Sequence, residues 1–248
     1  MTALIYIYIY IYIYIYIYIC VYINIYIYIY IYIIIHCLAG DQQCRCYSHF
    51  FVIACGPKRS DVIFLIDSSG SIGDDNFFKV KHFVKDVISS LDVGLNKTRV
   101  GVISFSTKVH REFDLHRYDS KSDMLAAVDR IVYMSAGTNT HLGLDEMRTN
   151  GFSSVNGARD KATGVPHVCV VVTDGQSNGY SLTLAAAQRA HDAGLTMFSV
   201  GVTKNIIMTE LEAIASKPIC SHLFLLDTFT DLDSLGHAIE KGICKGWW

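Results

Sequence analysis

Two periodicities divide the chain. From Ile5 to Tyr32 isoleucine and tyrosine alternate with a period of two, broken only at Cys20, Val21 and Asn24. That period describes a strand with one isoleucine face and one tyrosine face. A strand so long would leave a flat apolar edge open to self-association. The run is long enough to span a bilayer, but β-branched and aromatic residues are mediocre helix formers. It also lacks the positive n-region of a secretory signal. The genetic code suggests another origin, since repeated TA read in one frame gives Ile-Tyr without end. Cys20, Val21, Asn24 and His36 each lie one base from that repeat. A translated dinucleotide microsatellite is therefore the favoured reading of residues 1–36.

From about Ser60 the pattern changes to short apolar runs alternating with helical stripes. Asp61–Ile66 is a continuous apolar run, the mark of a strand buried on both faces. Apolar positions at Phe77, Val80, Phe83, Val84, Val87, Ile88 and Leu91 predict a helix over Asn76–Leu91. Arg99–Phe105 and Lys108–Phe113 read as strands joined through Ser106-Thr107, which suits an antiparallel hairpin. Helices are expected at Lys121–Val132 and Asn139–Arg148, and a fourth strand at His167–Thr173. Helix Ser181–Ala193, strand Thr196–Val202, helix Thr209–Ala215, strand His222–Leu226 and helix Leu232–Gly242 complete the series. The alternation predicts an α/β fold: a doubly wound, mostly parallel six-stranded sheet, Rossmann-like, with helices on both faces and one antiparallel edge strand. The expected organisation is a tract at 1–36, a junction at 37–59, a folded domain at 60–244 and a tail at 245–248.

Composition alters the picture in one respect. The hydrophobic share of 51% suggests a membrane protein until the chain is divided, because residues 1–40 contain no Asp, Glu, Lys or Arg. The net charge of −2 argues against a nucleic-acid binder. The junction carries Cys37, Cys44, Cys46 and Cys55, but C-x-C without a second spaced pair is a weak metal signal. A remnant of a disulfide-rich module fits it equally well. The ten histidines are scattered, Cys169 reads as a small core residue, and Cys220 has no evident partner. Asn96-Lys97-Thr98 is a glycosylation sequon in an expected surface turn. Trp247-Trp248 is assigned no role.

A doubly wound sheet binds ligands beyond the carboxyl ends of its strands, and oxygen donors gather in those loops. Asp67, Ser69 and Ser71 form D-x-S-x-S after the first strand, with Gly70 expected to permit the turn. Gly137-Thr138-Asn139-Thr140 precedes a helix, and Thr173-Asp174-Gly175 ends the fourth strand. Two carboxylates with several hydroxyls and no nearby Cys or His cluster suit Mg²⁺ or another oxygen-seeking cation such as Mn²⁺. With two anionic ligands at most, the cation would keep water positions that a partner's carboxylate can take. The bland reading of D-x-S alone is a turn and helix cap. Gly175-Gln176-Ser177-Asn178-Gly179 matches the G-x-S-x-G nucleophile elbow, with Asp227 and His237 following in order. That hydrolase reading places Ser177 too far from the next helix, His237 mid-helix, and leaves D-x-S-x-S unexplained.

DVIFLIDSSGSI, GTNTHLGL and VVTDG, in this order and spacing, resemble a von Willebrand factor type A domain over about Asp61–Cys244. The resemblance implies a metal-ion-dependent adhesion site at Asp67, Ser69, Ser71, Thr138 and Asp174, with Thr138 rather than Thr140 as ligand. TLAAAQRAHDAGLTMFSVGV and ELEAIASKP resemble the A domains of matrilins, type VI and related collagens and cochlin-like matrix proteins. No inserted helix precedes Ser181 of the kind found in integrin collagen-binding domains. Cys55 and Cys244 bracket the domain as paired cysteines do in many extracellular members, which implies a disulfide. The implied protein is a secreted adhesion or matrix module and not an enzyme. Its partner would be a matrix protein such as collagen, held through an acidic residue, with no nucleic acid. Membrane association is expected only if residues 4–38 are genuinely present. The alternative is a structural matrix-assembly module with incidental metal binding.

Overall fold

The computed structural model describes residues 59–203 and 206–245. The alternating tract, almost all of the cysteine-bearing junction and the last three residues lie outside the described residues, as do Cys55 and the side chain of Cys244. The elements run β1 (Asp61–Asp67), α1 (Asp74–Ser90), β2 (Arg99–Phe105), β3 (Val109–Phe113), α2 (Lys121–Asp129) and α3 (Thr140–Glu146). They continue as β4 (His167–Thr173), α4 (Tyr180–Asp192), β5 (Thr196–Val202), α5 (Met208–Ile214), α6 (Ile219–His222), β6 (Leu223–Leu226) and α7 (Leu232–Lys245). The sheet order is β3-β2-β1-β4-β5-β6, parallel throughout except for the antiparallel edge strand β3.

β1 lies between β2 and β4 and is buried along its whole length. Its side chains alternate between two cores, as a strand covered on both faces requires. Val62, Phe64 and Ile66 pack with Phe83, Val87, Leu235 and Ile239 of α1 and α7. Ile63 and Leu65 pack with Leu144, Met147 and Ala186 beneath α3 and α4. The chain winds one way from β1 to β2 and the other from β4 to β6, so the switch point falls between β1 and β4.

Several boundaries differ from expectation for local reasons. α1 starts earlier because Asp74 and Asp75 suit the positive end of a helix. α2 stops at Asp129, and the following segment bridges back to the loop after β1 through Ala136 and Ser69. α3 is regular only to Glu146 and continues as a π turn over Met147–Gly151. The short helix α6 and three 3₁₀ turns carry no clear periodicity and were not expected.

At the amino-terminal end of the sheet, Asp61 is fully buried and accepts from Arg159 Nη1 at 2.5 Å and from the Arg159 N–H at 2.6 Å. The same guanidinium donates to the carbonyls of Leu95 at 2.8 Å and Lys97 at 2.6 Å. His167 binds the Arg159 carbonyl at 2.9 Å, and burial holds its pKa below the ordinary value. Cys169 is a free, buried thiol, pushed upward by burial. Cys220 is disulfide-bonded, which corrects the expectation that it lacks a partner. Asn96 is exposed in the turn between α1 and β2. Among the described residues, no helix is long and apolar enough to cross a membrane.

Candidate metal-binding site

Three loops meet beyond the carboxyl ends of β1 and β4. Asp67, the last residue of β1, is fully buried. Its Oδ1 accepts the Ser69 N–H at 2.8 Å and its Oδ2 accepts the Thr173 hydroxyl at 2.6 Å. Ser69 Oγ lies 3.1 Å from Ser71 Oγ, and Ser71 Oγ donates to Asp174 Oδ1 at 2.8 Å. A continuous polar chain thus joins Ser69, Ser71 and Asp174. The turn itself does not depend on Gly70, contrary to expectation: the left-handed residue is Gly73, at φ 75°. A side chain at Gly70 would meet only ordinary contacts.

The segment carrying Thr138 is laid alongside this loop by backbone bonds. Ser135 N–H donates to the Ser68 carbonyl at 3.0 Å, and Gly70 N–H to the Ala136 carbonyl at 2.7 Å. Tyr133 Oη donates to the Ser69 carbonyl at 2.8 Å and accepts the Gly73 N–H at 3.0 Å. Thr138 is nearly buried at the start of α3, and its carbonyl accepts the Asn178 N–H at 2.8 Å. Thr140 is the first residue inside α3 and is also buried. Two non-glycine residues with positive φ, Ser135 and Thr203, border the site. Thr203 Oγ1 donates to the Asp174 carbonyl at 3.2 Å.

Burial pushes the Asp67 carboxyl up to about 6, against the pull of hydrogen bonds from Ser69 and Thr173. The charge of Asp174 adds to the rise. Asp174 is also raised by burial, with the Ser71 hydroxyl opposing. Among the described residues, no Lys, Arg or His forms an ion pair with either carboxylate. Two buried acids without a counter-charge are costly to keep as anions, a cost that a bound cation would relieve. The donors are all oxygen, so the residues present fit a hard divalent ion.

Sequence reasoning missed the orienting roles of Thr173, which lies within VVTDG, and of Tyr133 and Asn178, which lie outside the three matched motifs. Ser177, against whose nucleophile role the sequence already argued, has a different place. That residue is buried, its hydroxyl donates to Glu210, and it accepts from Thr183 at 3.0 Å. α4 begins at Tyr180, so the tight elbow is not formed, and His237 instead bonds Glu240 on α7. His141 is half-buried, packed near Gly179, with Nδ1 shielded and unbonded. A separate exposed group, His82, Asp86 and Asp233, brings ligand atoms within 4.8 Å of one another on α1 and α7.

The family model of the von Willebrand factor type A domain matches residues 61–238. The chain belongs to that family. Matrilin-2 of Mus musculus is 40% identical over 185 residues, covering 75% of this chain and 19% of that protein. Matrilin-1 of Gallus gallus is 39% identical over 184 residues, covering 74% of this chain and 36% of that protein. The transmembrane cell adhesion receptor mua-3 of Caenorhabditis elegans is 32% identical, covering 81% of this chain and 6% of the receptor. This type A chain therefore spans well under half the length of these relatives. Among solved structures, proximal thread matrix protein 1 from the mussel byssus superposes with a TM-score of 0.70 at 28% identity, covering 75% of this chain and 48% of that one. A second structure of that protein, described with a zinc-occupied MIDAS motif, gives 0.68 at 27% identity, covering 78% and 47%.

Proposed function

We propose that this type A domain is an extracellular adhesion or matrix-interaction module that captures a protein ligand through a divalent cation. Asp67, Ser69, Ser71, Thr138 and Asp174 hold the ion, directly or through water, and Mg²⁺ or Mn²⁺ is the ion the oxygen donors favour. The observation that carries this reading is the pair of buried carboxylates, linked through Ser69 and Ser71 and, among the described residues, in no ion pair with a Lys, Arg or His. When bound, the ion supplies residual positive charge for an incoming carboxylate. The chain's own residues do the rest. Ser69 N–H and Thr173 fix both oxygens of Asp67, and Ser71 fixes Asp174. The ligand is a matrix protein such as collagen, engaged through an acidic side chain. The zinc-occupied motif of the mussel protein supports a metal at this position. The disulfide at Cys220 supports an oxidising, extracellular setting. A Cys55–Cys244 bridge, a glycan at exposed Asn96 and domain limits near 60–244 belong to the same reading.

The test is a thermal melt of the protein in EDTA and in excess Mg²⁺, beside Asp67→Ala. Saturation at ~100 times the dissociation constant stabilises the native state by roughly 2.7 kcal/mol. The expected rise appears in the wild type and vanishes in the variant. Mg²⁺ is the probe because His82, Asp86 and Asp233 offer softer metals a second place to bind. No rise in the wild type overturns the metal reading and leaves a structural module that associates through other surfaces.

A further inference from the structure

Glu210 stands in the first turn of α5 with its carboxylate buried. Burying a carboxylate is costly unless its oxygens are satisfied, and both oxygens are used on one residue. Ser177 donates its N–H to Oε2 at 3.2 Å and its hydroxyl to Oε1. Thr183 Oγ1 on α4 donates in turn to Ser177 Oγ at 3.0 Å. The adjoining residue, Asn178, donates its N–H to the Thr138 carbonyl at 2.8 Å. Its amide also lies against Gly137, where an added Cβ would come within 2.7 Å of Nδ2. The loop from Asp174 to Gly179 is thus pinned at Ser177 and bridged at Asn178 to the segment that carries Thr138. Glycines at both 175 and 179 give that loop wide backbone freedom. Without the pin, ordering it would be charged against ion binding.

We infer that Glu210 is a positioning residue for the metal site: through Ser177 and Asn178 it fixes Asp174 and Thr138 at one spacing. Among the described residues it makes no hydrogen bond to any of the five proposed ligands. The inference rests on the metal reading above and gives a role to Glu210, the first residue of the ELEAIASKP segment, to which the sequence reading assigned no site. It also gives the G-x-S-x-G match a role without nucleophilic chemistry, since Ser177 is the loop's anchor.

The experiment is an isothermal titration of the full chain with Mg²⁺ for the wild type, Glu210→Gln, Ser177→Ala and the double variant, each also melted in EDTA. Loss of such an outer support weakens metal affinity about tenfold or more. Both single variants should show that weakening, and the double variant should be little worse than either one, because the two residues act as one contact. A melting temperature lowered in EDTA with Mg²⁺ affinity unchanged would make the network merely structural and overturn the inference. If Glu210→Gln does not fold, Ser177→Ala decides, since it keeps the backbone N–H bond to Glu210. A wild type that does not titrate at all would remove the metal reading itself, an outcome distinct from intact binding in the variants.

Discussion

Arg159 and Asp61 form the contact whose loss should be felt most outside the site. Asp61 is fully buried, and its carboxylate receives both the guanidinium and the N–H of Arg159. Removing one partner of such a pair strands the other charge, at about 3–5 kcal/mol. Arg159→Met should therefore lower the urea-unfolding free energy by about that amount while Mg²⁺ affinity stays at the wild-type level. A loss of affinity would show that the two ends of the sheet are coupled. This pair could not be read from the sequence, because its members lie 98 residues apart and Arg159 belongs to no motif. The pairing of Glu210 with Ser177 escaped notice because it too spans a long separation, 33 residues. The meeting of the loops that carry Asp67, Ser69, Ser71 and Asp174 was legible because they stand at the carboxyl ends of two strongly patterned strands, β1 and β4. What the sequence does not reveal is which hydroxyl bonds which carboxylate.

Elements were legible where periodicity was strong. All six strands and the long helices stand within a few residues of their expected places, since apolar runs buried on both faces have few alternatives. Termini drifted where tertiary contacts override the local pattern, as at the end of α2, where Ile131 turns inward and Val132 is left exposed. The π turn after α3 has no sequence period to announce it. α3 itself holds a glycine mid-helix, which is intrinsically unfavourable, and the packing explains it. A Cβ on Gly143 would stand 3.0 Å from Leu65 Cδ1 and 3.1 Å from Phe105 Cγ. Gly143→Val should force α3 away from β1 and β2 and lower stability by about 1–3 kcal/mol, measured by chemical denaturation. Because Thr138 leads directly into α3, Mg²⁺ affinity should fall with it. Retained stability would mean that the helix can shift at no cost.

For the molecule as a whole, acid acts through two opposing sets of groups. Burial holds His167 and His222 below their ordinary value of 6.5. An unfolded histidine takes its proton near that value, while these two resist it until lower pH. Their contribution to stability is therefore complete above about 6.5 and is lost as pH falls below it. Asp67 works the other way. Its carboxyl is raised to about 6, so its burial penalty is relieved as pH falls through that value. In EDTA, Asp67→Asn should consequently lose stability more steeply than the wild type between about pH 7.5 and about pH 5.5. Parallel pH profiles would remove Asp67 from the acid response.

The run of β1 and α7 has a mechanical consequence. β1 leads from its buried Asp61 end up to the site, and α7, starting shortly after the parallel strand β6, runs back down beside α1. Its 14 residues measure about 21 Å, close to the height of the strands. The described unit therefore begins and ends at one pole and carries the loops of Asp67 and Asp174 at the other. Tension drawn through those two ends would be taken up near Asp61 and the foot of α7, and a ligand held at the far pole would lie off the line of load.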